Sequence, residues 1–232
     1  MSEAAVDLRG VDFAWPGSTR RTLQIDSLSL RAGGQLFIAG PSGSGKSTLL
    51  ALIGGIITPQ KGEVRVLGTP LHTLSGTQRD RFRVDHTGFI FQQFNLVPYL
   101  SVMENVLLPC RFSSVRSRGA VEQGGSAKAA AAMLLGELGL DAALWARSAA
   151  RLSVGQQQRV AAARALIGKP ALIVADEPTS ALDAGHQEDF IRLLMRECAR
   201  FSTALLFVSH DERLAADFPA RFTLTPPSGE EA

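Results

Sequence analysis

The stretch GPSGSGKST, Gly40 to Thr48, limits the possible folds more than any other part of the chain. It satisfies G-x-x-x-x-G-K-[ST] through Gly40, Gly45, Lys46 and Ser47, with Pro41, Ser42, Gly43 and Ser44 filling the turn. Glycines at this spacing let successive backbone N–H groups curl inward around phosphates, and a helix starting there adds the positive end of its dipole. Lys46 is then placed to reach the β and γ phosphates, and the Ser47 hydroxyl to ligate Mg²⁺. The flanks agree: the apolar run QLFIAG precedes the loop, and KSTLLALIGGII, with a helical apolar face, follows it. A strand, a glycine-rich turn and a helix in that order predict an α/β domain that binds a nucleotide.

The rest of the chain supports that class. VDLRGVDFAW and LQIDSLSL are short, alternating and bounded by turns such as PGSTRR and RAGG, so they are expected as strands, as is the segment within TPQKGEVRVLG. PALIVADEP and TALLFVSH are near-continuous apolar runs of strand length, the pattern of strands covered on both faces. The amphipathic HQEDFIRLLMRECARF lies between them. Strand, helix, strand is a βαβ unit, whose ligands gather at the carboxyl ends of the strands. From about Gln92 to Gln158 the texture turns helical in SVMENVLLPC and AKAAAAMLLGELGL. The Arg/Ser/Gly-rich RFSSVRSRGAVEQGGS between those two reads as an exposed loop. Arginine-rich RDRFRVDH, Arg79 to His86, reads as a solvated face.

Composition narrows the partners. A net charge of +2 on 232 residues does not point to nucleic acid. Cys110 and Cys198 lie far apart without ligand spacing, which reads as two small buried residues in a reducing compartment. MSEAAVDLRG lacks the features of a signal peptide, and no apolar run reaches the roughly 18 residues needed to cross a bilayer. A soluble chain is expected, with any membrane role supplied by a separate partner.

Two further stretches carry chemistry. The run ALIVAD ends in Asp176-Glu177, two acids whose burial at a strand end costs desolvation unless they are used. Asp176 associated with Mg²⁺ and Glu177 polarising an attacking water would use both. In RLSVGQQQRVAAARAL, a polar cluster runs straight into a helical pattern, which admits either an anion site or a helix cap. Val154 is stiff and β-branched where a phosphate turn would more comfortably carry glycine.

The order of phosphate loop, Gln92, LSVGQQQR, VADEP, SALD and His210 resembles the nucleotide-binding subunit of ATP-binding-cassette (ABC) transporters, over nearly the whole chain. The resemblance implies an α/β fold. A P-loop NTPase core, a mostly parallel sheet flanked by helices, would carry an N-terminal antiparallel β subdomain and an inserted α-helical subdomain. Residues 1–232 would form one ATPase domain, with a RecA-like core and β subdomain from 1–91 and 159–225, a helical subdomain at 92–158, and a short tail at 226–232. It further implies ATP and Mg²⁺, an aromatic stacked on adenine (Trp15, with Phe13 as the alternative), Gln92 sensing Mg²⁺ and the γ-phosphate, and His210 contacting that phosphate. Two copies would pack head to tail. Ser153, Gly155 and Gln156 of one would then cap the ATP held by the other, and the SALD loop with Asp183 would cross the interface. Val154 replaces the family's usual glycine, and because its neighbours carry the contacts its side chain is expected to point away from phosphate.

GFIFQQFNLVPYLSVMENVLLP looks most like the lipoprotein-release, macrolide-efflux and cell-division branch, whose membrane partners often transmit force across the membrane. The expected function is therefore an ATPase subunit driving an integral membrane permease, with a large extracytoplasmic domain on that partner and no nucleic acid involved. A regulatory ATPase of the cell-division type and a soluble non-transport ABC ATPase are the other two classes. Leu96, Val97, Tyr99 and Leu100 are candidates for receiving the partner's coupling helix.

Overall fold

The computed structural model describes residues 4–18 and 20–226. Most of the expected tail, 227–232, and the first three residues lie outside that range. Two sheets organise the chain. The strands β1 (Ala4–Phe13), β2 (Leu23–Arg31), β4 (Lys61–Val66) and β5 (Thr69–Pro70) form an antiparallel sheet in the order β2-β1-β4-β5. The second sheet is parallel, built from β3 (Gln35–Ala39), β6 (Thr87–Ile90), β7 (Leu172–Asp176), β8 (Ala204–Ser209) and β9 (Arg221–Thr223) in the order β6-β7-β8-β3-β9.

Side chains alternate across a strand, so a parallel sheet buried on both faces serves two cores. Leu36, Ile38, Val174, Leu206 and Val208 face the antiparallel sheet and helix α1 (Lys46–Ile53). Phe37, Ile173, Ala175, Leu205 and Phe207 face the larger helical core. The helices there are α3 (Val102–Phe112), α4 (Ser114–Gly124), α5 (Ala127–Glu137), α6 (Val154–Leu166) and α7 (Ala184–Arg200), with α2 (Gly76–His86) leading into β6. Helix α6 runs unbroken through position 158. Among the described residues no helix is long and apolar enough to cross a membrane.

The stretch expected as an exposed loop is helix α4. Ser113 accepts a hydrogen bond from Arg116 N at its start, and Gly125, at φ 79°, closes it. The composition misleads because the residue that buries this helix is an arginine. Arg116 is 1% exposed. It donates from Nε to Ile167 O at 2.6 Å, from Nη2 to Ala165 O at 2.6 Å and from Nη1 to Thr87 O at 3.3 Å. Burial pushes its guanidinium down to about 10. The arginine-rich face of α2 is likewise not simply solvated. Arg79 donates to Gly55 O and Leu74 O, and Arg83 to Gly54 O, so both bracket the turn after α1. Both cysteines are free thiols, and burial pushes Cys198 up to about 12.

Candidate active site

Register brings the expected residues to one edge. Ile90 pairs with Ala175, so Gln92 leaves β6 beside the end of β7, where Asp176 and Glu177 stand. Asp176 pairs with Val208, and Ser209 with Ala39, which sets His210 next to Glu177 on one side and near Gly40 on the other. Parallel strands thus present Gln92, the acidic pair, His210 and the phosphate loop along one carboxyl edge, where α/β sheets bind ligands.

The loop itself is tightly determined. Gly45 caps α1 at φ 94°, and a Cβ there would fall 2.8 Å from Thr22 O. A Cβ on Gly40 would fall 2.6 Å from Ser44 Oγ. Pro41, Ser42, Gly43 and Ser47 are exposed, whereas Thr48 and Ser44 are buried. Lys46 Nζ donates to two carbonyls of its own loop, Gly40 O at 2.7 Å and Pro41 O at 3.0 Å, and lies 3.9 Å from Glu177 Oε1. A fully buried Ser44 hydroxyl without a hydrogen-bond partner is costly. These features suit a polyphosphate: a dipole end, a lysine resting on substitute acceptors, and an orphaned hydroxyl. Among the described residues no three of His, Cys, Asp and Glu cluster to hold a metal alone. Ser47, exposed beside Lys46, and Asp176, at the end of β7, are the oxygen donors at this edge that could hold an ion beside phosphate.

The acids differ. Burial, and then the neighbouring Glu177, pushes the Asp176 carboxyl above its usual range, while Lys46 pulls it back. Glu177 sits in left-handed backbone at φ 46°, held by its N–H to Val208 O at 2.9 Å. Its Oε2 accepts from Ser209 Oγ at 3.2 Å and lies 2.8 Å from His210 Nδ1. A carboxylate oriented in this way on a strand end, with an exposed imidazole against it, can position and polarise a water.

The aromatic alternatives separate by burial. Phe13 is 5% exposed and belongs to the core, whereas Trp15 is 46% exposed and stands edge-on to it. The hairpin carrying Trp15 abuts the loop, since Thr22 N donates to Phe13 O and the Thr22 carbonyl crowds Gly45.

Ser153 and its neighbours lie elsewhere, at the start of α6. Ser153 Oγ accepts from Gln156 N at 3.3 Å, and Gln156 Oε1 accepts from Ser153 N at 3.0 Å, a capping box. Among the described residues no hydrogen bond joins Ser153, Gly155 or Gln156 to the phosphate loop. Val154 projects outward at 46% exposure. Asp183 caps α7, and its carboxyl is held below the usual range by hydrogen bonds from His186.

Sequence reasoning missed three supports. Gln60 brackets Ala14, accepting from its N–H and donating to its carbonyl, just before Trp15. The buried Gln158 amide donates from α6 to Pro178 O at 2.8 Å, directly behind Glu177. Asn105, fully buried, accepts from Val97 N and donates to the carbonyls of Val97, Leu100 and Ser101. Only a polar residue inside an otherwise apolar helical stripe could have marked Asn105 in advance.

A strand-end phosphate cradle beside a polarising acid and histidine defines a nucleoside-triphosphate hydrolase of the P-loop kind. Residues 23–180 match the ABC transporter family, and the chain belongs to it. Similar proteins include the lipoprotein-releasing system ATP-binding protein LolD of Psychrobacter arcticus, 42% identical over 82% of this chain and 80% of that protein. The macrolide export ATP-binding/permease protein MacB of Photorhabdus laumondii is 37% identical over 92% of this chain and 32% of that protein. Among solved structures, the ATP-binding cassette MJ0796, a dimer in a post-hydrolysis state bound to ADP and Pi, superposes with a TM-score of 0.80 at 33% identity, covering 95% and 94% of the two chains. The chain is therefore an ATPase cassette, with ATP as its nucleotide and Mg²⁺ as its ion.

Proposed function

We propose that two copies of this chain close head to tail on ATP and hydrolyse it to drive a separate membrane permease that releases lipoproteins, exports a substrate or transmits force. What supports this reading is that the glycine-rich loop at Gly40–Thr48 and the outward-facing, polar start of α6 lie apart, with no hydrogen bond between them among the described residues. A second protomer supplies the missing half. Phosphate-loop N–H groups and Lys46 bind the β and γ phosphates, Trp15 stacks on adenine, and Asp183 works at the interface. Ser47 and Asp176, with Gln92, hold the Mg²⁺. When bound, this ion offsets charge on the phosphates. Glu177 polarises the attacking water, and His210 orients Glu177 and meets the γ-phosphate. Gln92 senses the filled site where the RecA-like core, 1–91 and 159–225, meets the helical subdomain, 92–158.

The names LolD and MacB and the branch-like segment after Gln92 favour a permease partner at the cytoplasmic face of the membrane. Of the four apolar candidates, Tyr99 is 82% exposed, while Leu96 packs on the core. A cavity of about 340 Å³ between β6, α3 and α4, lined by Phe89, Phe91, Leu108, Pro109 and Phe112, offers a deeper seat for a permease helix.

Glu177→Gln tests the composite site. Turnover should fall by about 10²–10⁴-fold, and the chain should run as a dimer on size exclusion with ATP and Mg²⁺. A variant that binds ATP normally yet stays monomeric would remove Glu177 from this role.

A further inference from the structure

Beyond Gln92 the backbone takes an uncommon path. Phe94 and Asn95 are consecutive non-glycine residues in the left-handed region, at φ 58° and 47°. Such a pair persists only where its surroundings over-determine it. Local bonds supply part of that, from Phe94 N to Phe91 O and from Asn95 N to Gln93 O. The rest comes from α6. Arg164 donates from Nη2 to Phe94 O at 2.6 Å and from Nη1 to Asn95 O at 2.7 Å, one guanidinium spanning both carbonyls.

Arg164 has no carboxylate within ion-pair range among the described residues. Burial lowers its pKa. An apolar side chain would fill the place without desolvating a charge, so the two carbonyls account for the arginine. The same helix bears Ser153 at its start, eleven residues and about three turns earlier. Through Gln158 it also holds the carbonyl of Pro178, directly behind Glu177. One helix therefore grips both the segment after Gln92 and the segment after Glu177.

We propose that Arg164 is a positioning residue that sets Gln92 by clamping the carbonyls of Phe94 and Asn95. The proposal rests on the assignment of Gln92 made above. Lysine keeps the charge but not the planar fork, and cannot span both carbonyls. Arg164→Lys should lower kcat by about tenfold while KM for ATP stays within about threefold, because the phosphate loop is untouched. In a Gln92→Ala background the same change should matter less than about twofold, since residues acting as one unit are not additive. Asn95 is exposed, so a second variant is safe for folding. Asn95→Val, disfavouring left-handed backbone, should also lower kcat, whereas Asn95→Gly should leave it within about twofold.

Equal slowing by Arg164→Lys in both backgrounds, or normal turnover in Asn95→Val, would overturn the proposal. Hydrogen exchange over residues 91–97 separates this from a failure of the Gln92 assignment. Faster exchange in Arg164→Lys with full turnover in Gln92→Ala would mean that the clamp exists but holds no chemistry, which sinks both readings. Unchanged exchange would sink the clamp alone.

Discussion

The phosphate loop and the start of α6, proposed above as the two halves of one ATP site, are built on opposite principles. At the phosphate loop, groups are left wanting: Ser44 Oγ has no partner, Lys46 leans on its own loop carbonyls, and Asp176 stands half-buried beside a second acid. At the start of α6, by contrast, Ser153 and Gln156 satisfy each other in a capping box. The first region gains from ligand binding by relieving its own frustration. In the proposed dimer the second would give up this cap to take a phosphate, so it suits a group that engages only when a second protomer arrives. On the proposed function, one half waits for nucleotide and the other for a partner.

The largest expected effect is on the waiting half. Lys46→Ala should cut ATP turnover by about 10²-fold or more, measured by phosphate release, with circular dichroism unchanged. Normal hydrolysis would erase the distinction at its root. Next comes a pair of serine substitutions with opposite signs. Ser44→Ala removes a buried hydroxyl that bonds to nothing, and should raise the nucleotide-free melting temperature. Ser153→Ala removes a cap and should lower stability by about 1 kcal/mol. Equal signs in the two melts would break the comparison.

A smaller effect concerns Asp176. Its folded pKa is raised, so the folded chain binds more protons than the unfolded one between the ordinary carboxylate value and the raised one. Stability should therefore fall as pH rises through that window and level off above it. Asp176→Asn should flatten this slope and melt higher without nucleotide, while losing Mg²⁺-dependent hydrolysis; thermal melts across acidic pH check the sign. Smallest is Val154→Gly. The valine projects outward, so turnover should change less than about threefold, whereas a rise beyond tenfold, about 1.4 kcal/mol of barrier, would make it a brake.

Much of the waiting half was legible in the sequence, because glycine spacing, an apolar strand ending in two acids, and a strand ending in histidine are local patterns. Trp15 and Phe13 were not separable there, since burial depends on which side of β1 faces the core. Helix α4 was hidden for a related reason. Its anchoring side chain is charged, and a composition rich in arginine, serine and glycine resembles a loop until Ser113, Gly125 and the carbonyls around Arg116 are seen together. Arg164 was equally invisible, because its partners are backbone carbonyls seventy residues away whose direction depends on two left-handed residues. Side chains that serve distant main chain leave no periodicity to read.

Arg116 has one more consequence, for polarity. Its guanidinium rests on the carbonyls of Ala165 and Ile167, at the negative pole of α6. A cation there neutralises that pole from within the molecule. The opposite pole, at Ser153 and Gly155, meets no acidic side chain in its first turn. Helix α6 is thus earthed at one end and live at the other, which suits the anion that the proposed second protomer would bring to it.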